Sequence, residues 1–203
     1  MTNNSRLFEE AVNALSSLPS IGKKSALRLV LHLLKEDKAK THRISDALSN
    51  LVDNIKYCKN CHCISDQEIC SICLSPSRDE TTICVVENVR DMMAVEDTNQ
   101  FRGKYHILGG IISPIEGVGP DNLNIQSLID RVDKGIIQEL IMAISPTIEG
   151  ETTIYYISRQ LEQFPVTIST IARGVSFGGE LEYADELTLG RSIVSRITYN
   201  NTN

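Results

Sequence analysis

The chain contains no tryptophan, and aromatic residues make up only 5% of its 203 residues. Stacking of bases on aromatic platforms, a common way of holding single strands, therefore has little to work with. Long apolar runs are also missing. Stretches such as Leu29-Val30-Leu31 fall far short of the roughly 18 residues of a membrane-spanning helix. The start, Met1-Thr2-Asn3-Asn4-Ser5-Arg6, has no apolar stretch behind a basic end, so no signal peptide is expected and the reading is cytoplasmic, with no membrane partner. There is no basic excess: 20 Lys and Arg stand against 26 Asp and Glu, a net charge of −6. This argues against a broadly basic nucleic-acid surface, and any DNA site must be a local patch. Apolar residues at 41% are enough for a core. The length allows one medium domain or two to three small modules in series.

Five of the six cysteines fall between Cys58 and Cys73. Cys58 and Cys61, then Cys70 and Cys73, form two Cys-x-x-Cys pairs. Each pair can present two thiolates to one side of a metal, and two pairs complete a tetrahedron. Four soft thiolates suit zinc, one per chain, and leave no position for a water, so the role is structural. His62 and Cys63 are rival ligands, but using either would break the pairing. Two pairs this close together disfavour a redox role. Cys84 lies in an apolar run and reads as core.

Three textures follow one another along the chain. Residues 1–56 are helical: Leu7, Phe8, Ala11, Val12, Leu15 and Leu18 repeat at helical spacing, and Pro19-Ser20-Ile21-Gly22 interrupts. A second helix runs from about Ser25 to Leu34, and Ile44 to Ile55 suggests a third. Residues 57–79 are polar and cysteine-dense, unable to build a core without a staple. Residues 80–172 alternate β-branched runs with helical stretches. Strands are expected at Ile83–Val86, Tyr105–Leu108, Leu140–Ile144 and Val166–Ser169. Helices are expected at Asn88–Glu96, Leu123–Val132 and Thr152–Phe164. That alternation predicts an α/β fold with a largely parallel sheet flanked by helices. Residues 173–203 form a Gly-rich tail with a helical stretch around Leu189–Ile197.

The segment Leu18 to Ala26 resembles a helix–hairpin–helix motif. A tight turn at a helix start leaves backbone N–H groups free for a phosphate. Lys23 and Lys24 flank those donors, and Arg28, four residues beyond Lys24, shares its helix face. Such contacts give affinity without sequence specificity. Gly is usual where Ser20 stands, so a left-handed backbone there would strain this chain. The same segment also fits an ordinary hairpin with solvated lysines.

Glu87 directly follows the first expected strand of the α/β part, and Asp91 lies one helical turn on. Glu149 and Glu151 follow the strand ending at Ile144. Function in open parallel sheets gathers at the carboxyl ends of strands, and carboxylates converging there could hold Mg²⁺. They could equally serve as favourable charges at helix N-termini. The arrangement resembles a Toprim domain, whose pattern is a Glu after one strand and Asp-x-Asp after a later one. Here the second element is Glu149-Gly150-Glu151.

Taken in order, the parts are similar to the RecR family of bacterial recombination mediators over essentially the whole chain. Leu18-Pro19, Ile21-Gly22 and Lys24-Ser25-Ala26 match the family's hairpin. Cys84-Val85-Val86-Glu87 matches its first Toprim strand, and Pro146 to Glu151 its second acidic motif. Gly178-Gly179-Glu180-Leu181-Glu182-Tyr183, with Asp185 and Thr188-Leu189, looks like its C-terminal, Walker-B-like segment; no Walker A loop accompanies it. The resemblance implies a non-enzymatic DNA-binding protein that forms a ring, commonly a tetramer, with the tail as an oligomer contact. It implies work with RecO and RecF to load RecA onto gapped single-stranded DNA. Lys24 and Arg28 would contact DNA, with Lys23 an added charge, and the acidic face would contribute to partner contact. Two other readings are open. One is a Mg²⁺-dependent Toprim nuclease or primase-like enzyme using Glu87, Asp91, Glu149 and Glu151; the other is a zinc-stapled adaptor that binds only proteins.

Overall fold

The computed structural model describes residues 5–175, 178 and 180–197. The first four residues, and Gly179 of the C-terminal motif, lie outside them. The chain divides into two compact units, Met1–Ile55 and Lys56–Asn203.

The first unit consists of helices α1 (Arg6–Ser16), α2 (Lys23–Leu33) and α3 (Lys38–Asn54). Helix α1 begins where Ser5 accepts the Phe8 N–H, and α3 where Asp37 accepts that of Ala39, each satisfying a donor that the helix leaves free. Helices α1 and α2 pack together, and Ala26 and Val30 are buried. Leu7, Leu34, Leu48 and Val52 are 60% or more exposed, so much of this unit's apolar surface is left without cover.

The second unit begins with a small cysteine module. Strands β1 (Lys56–Tyr57) and β2 (Ile64–Ser65) pair antiparallel, and a single turn, α4 (Ser71–Leu74), follows. Then come β3 (Thr82–Val86), α5 (Val89–Asp97), β4 (Lys104–Ile107), α6 (Ile125–Asp133), β5 (Glu139–Ala143), α7 (Ile148–Gln160), β6 (Thr167–Thr170) and α8 (Glu186–Val194). Strands β4, β3, β5 and β6 form one sheet in that order, all parallel, as the alternation predicts. The pleat sorts the core. Ile83 and Val85 of β3, with Leu140 and Met142 of β5, join Leu128 and Val132 of α6, Ile157 of α7 and Leu161 just after it. Cys84, Val86, Tyr105, Ile107 and Ala143 face the other way, into a cluster with Met92 of α5 and the cysteine module. Cys84 is core, and burial pushes its thiol up to about 12.

Strand β4 is the sheet's edge, where unpaired N–H groups are a liability. The cysteine module covers it: the Ile107 N–H donates to the Cys61 carbonyl at 2.9 Å. Helix α7 starts at Ile148, four residues before the periodicity suggests, because Thr147 caps it by accepting the Gly150 N–H at 3.0 Å. Among the described residues no helix is long and apolar enough to cross a membrane.

Gly150 is required by a close approach. A Cβ there would meet the Ser145 carbonyl oxygen at 2.1 Å, and backbone cannot yield as a side-chain tip can. Gly150→Ala is expected to cost about 3 kcal/mol, read as a lowered midpoint in thermal unfolding.

Candidate functional site

The sulfur atoms of Cys58, Cys61, Cys70 and Cys73 all lie within 4.8 Å of one another and all four residues are buried. The Sγ atoms of Cys61 and Cys70 are 3.5 Å apart. Four thiolates bound tetrahedrally at a Zn–S distance of about 2.3 Å stand about 3.8 Å apart, so the residues fit zinc. The local backbone makes the cup. The His62 N–H donates to the Cys58 carbonyl, and the Cys58 N–H to that of Cys63. His62 sits at φ +62, which closes the turn and sends its ring away from the sulfurs to Ser127, with Nε2 2.8 Å from Oγ. Cys63 is buried outside the four-sulfur group. Both rival ligands are thereby set aside.

The cup is tuned for thiolates at one position. Burial pushes Cys58 up, but backbone N–H groups of Cys70, Cys61 and Asn60 outweigh it and bring the thiol down to about 7. The Cys70 N–H stands 3.3 Å from that sulfur. Burial holds Cys70 at about 11, and the Cys73 side chain, with burial, holds Cys61 well above an ordinary thiol. Four thiols in this space cannot all ionise without a cation among them.

The helical hairpin has the expected geometry at its turn. Ser20 has φ +65, the left-handed region where Gly is at ease. Gly22 precedes α2 without any side-chain cap, so the first N–H groups of α2 are open to an anion. Lys23, Lys24 and Arg28 are exposed, and among the described residues none of them is held in an ion pair.

The acidic edge is more divided than its sequence suggests. Strands β3 and β5 are neighbours, which brings Glu87 and Glu149-Gly150-Glu151 to one end of the sheet. Yet among the described residues the four carboxylates do not reach metal-ligand spacing as a group. Glu87 Oε1 accepts the Ser145 N–H at 2.7 Å, tying the ends of β3 and β5 together. Glu151 is paired with Arg173. Glu149 and Glu151 lie in the first turn of α7, and Asp91 in that of α5, where negative charge is favourable. Burial, then the nearby Glu87, raises Asp91 above an ordinary carboxylate. Arg173 carried no signal in the sequence. It stands 22 residues beyond Glu151, and only the return of β6 brings the two together.

An acidic motif at the carboxyl end of a parallel four-stranded sheet puts the chain among Toprim-domain proteins, and the family model for the Toprim domain matches residues 81–172. Three RecR models cover most of the remainder: the helix-hairpin-helix at 8–52, the four-cysteine zinc finger domain at 55–75 and the C-terminal segment at 174–197. Relatives named "Recombination protein RecR" agree end to end. That of Flavobacterium johnsoniae is 56% identical over 100% of this chain and 98% of its own. That of Bacteroides thetaiotaomicron is 57% identical over 97% and 96%, and that of Amoebophilus asiaticus 55% identical over 98% and 100%. The chain belongs to the RecR family of recombination proteins.

Two outcomes follow for the site. Ser20→Gly relieves about 1–2 kcal/mol of left-handed strain and returns about half of it through a freer unfolded chain. A net gain of about 0.5–1 kcal/mol is expected in denaturant unfolding. Metal analysis of the purified protein should give about one zinc per chain, and Cys61→Ser should reduce that content to a small fraction.

Proposed function

We propose that this protein is a non-enzymatic, DNA-binding mediator of recombinational repair. It works in the cytoplasm on the nucleoid, helping RecO and RecF to load RecA onto gapped single-stranded DNA. The observation that carries this reading is the turn before α2: uncapped N–H groups flanked by Lys23, Lys24 and Arg28, all exposed and free of ion pairs among the described residues. Backbone donors at a helix start and three nearby cations hold phosphates without reading bases. The names of the relatives and the hairpin family match support the same role.

One such patch on a chain of net charge −6 binds weakly, and assembly of several chains around DNA supplies the avidity. The apolar surface left open on α1–α3, and Leu187, Val194 and Ile197 of the tail at 67–92% exposure, are what an oligomer, commonly a tetrameric ring in this family, would cover. The acidic edge, with Glu151 already neutralised by Arg173, serves as a partner contact. A second reading keeps one observation in its favour: burial, then the nearby Glu87, raises Asp91 above an ordinary carboxylate, a cost that a cation bound at this edge would relieve. There Mg²⁺ would support nuclease or primase-like chemistry with Glu149 and Glu151.

A salt titration of binding to gapped and single-stranded DNA, with and without RecO, separates these readings. Wild type should bind with a steep salt dependence and without Mg²⁺-dependent cleavage. In Lys24→Ala/Arg28→Ala the log–log slope should fall by about 0.9 per lost phosphate contact on duplex DNA. An unchanged slope removes the hairpin from the site and favours a protein-only adaptor. Cleavage that Glu87→Ala abolishes establishes the enzyme.

A further inference from the structure

Arg131, on α6, is a cation without an anionic partner of the usual kind. It is half-buried, and among the described residues it forms no ion pair with a carboxylate. Its Nη1 donates to the Tyr105 carbonyl at 2.8 Å and to His106 Nδ1 at 3.1 Å. Both acceptors are neutral. His106 is fully buried and its Nε2 lies 2.8 Å from the Asn124 carbonyl. A carbonyl only accepts, so Nε2 carries the proton and Nδ1 is free to accept from Arg131. Burial, and then Arg131 itself, hold His106 down at about 3. A guanidinium drawn from water and given only neutral partners would be costly.

The missing negative charge is next door. Arg131 and Cys73 line one cleft, with Asn60, Lys104, Lys134 and Glu80. Lys104 in that cleft is paired with Glu80, and Lys134 is exposed. The knuckle is tied to the same region at two further points: Cys61 accepts from Ile107 of β4, and His62 meets Ser127 of α6. Burial is the largest influence on the Arg131 guanidinium and holds it below its usual range. Zinc bound by four thiolates keeps a net double negative charge.

We propose that Arg131 is the built-in counter-charge of the tetrathiolate zinc centre, lowering the reactivity of its sulfurs and slowing loss of the metal. The proposal rests on the zinc reading of Cys58, Cys61, Cys70 and Cys73. It makes metal retention depend on a residue of the Toprim sheet's own helix, 58 positions beyond the last ligand. Arg131 positions charge and touches no ligand of any reaction.

The test compares wild type with Arg131→Gln, which keeps a donor and loses the charge, and Arg131→Lys, which keeps the charge. Zinc content is measured first. A wild-type protein without zinc overturns the zinc reading and the proposal together. With zinc present, metal release is followed with a chromophoric chelator while iodoacetamide alkylates the thiolates of the folded full-length chain. Release should be about tenfold faster from Arg131→Gln and within about threefold of wild type from Arg131→Lys. The thiolate-to-metal charge-transfer band of the Co²⁺-substituted protein should move to lower energy in Arg131→Gln alone, a shift that loss of packing would not produce. Equal release from Arg131→Gln and wild type, or equal acceleration in both variants without a band shift, overturns the proposal. Should Arg131→Gln fail to fold, Arg131→Lys decides: release near the wild-type rate supports the counter-charge, and release as fast as from urea-unfolded chain overturns it.

Discussion

Four sulfur atoms gathered around one point impose the arrangement of the second unit. The module from Lys56 to Leu74 has two-residue strands and one helical turn, too little regular structure to hold itself together. Its cysteines are buried, but four like charges cannot share that space without a metal. Once drawn together, they present the Cys61 carbonyl to β4 and their apolar sides to Val86, Tyr105, Ile107 and Met92. A metal held by the four cysteines would thus fix the cover of a sheet edge that would otherwise be open to another strand.

The sheet then divides its work by position. Its β4 edge carries the cysteine module. The carboxyl ends of β3 and β5 carry Glu87 and the Glu149-Gly150-Glu151 turn, with Gly150 pressed against Ser145 so that α7 can start directly beside the strand. Beyond β6 the chain returns Arg173 to Glu151 and leads into α8. Some charge is neutralised locally, as Arg173 does for Glu151. Arg78, with two contacts to Glu96 and a third group, the Tyr105 hydroxyl, on the same carboxylate, joins the segment after the cysteine module to α5 and β4. Lys23, Lys24 and Arg28 at the α2 turn form no ion pair among the described residues.

Much of this was legible in the residues. The paired Cys-x-x-Cys spacing picks out the four cysteines that the fold gathers, because each pair is a local turn. The β-branched runs at Ile83–Val86 and Leu140–Ile144 name buried strands because parallel sheets are covered on both faces. The motif's usual glycine at Ser20 correctly flagged a left-handed backbone. The start of α7 was less legible, since its first turn is set by a Thr cap and a glycine squeezed by distant backbone. Arg131 and Arg173 gave no sign at all. Their roles depend on which strands neighbour one another, and no local spacing encodes that.

A metal held by the four cysteines would dock the cysteine module on the edge of the Toprim sheet. Amide hydrogen exchange, with and without chelation of the metal, tests this most directly. Stripping the metal is predicted to free the amides of 56–74 to exchange at nearly unprotected rates and to expose the Ile107 amide, while the central β3 and β5 amides keep most of their protection. Full protection of 56–74 in the metal-free protein would contradict it.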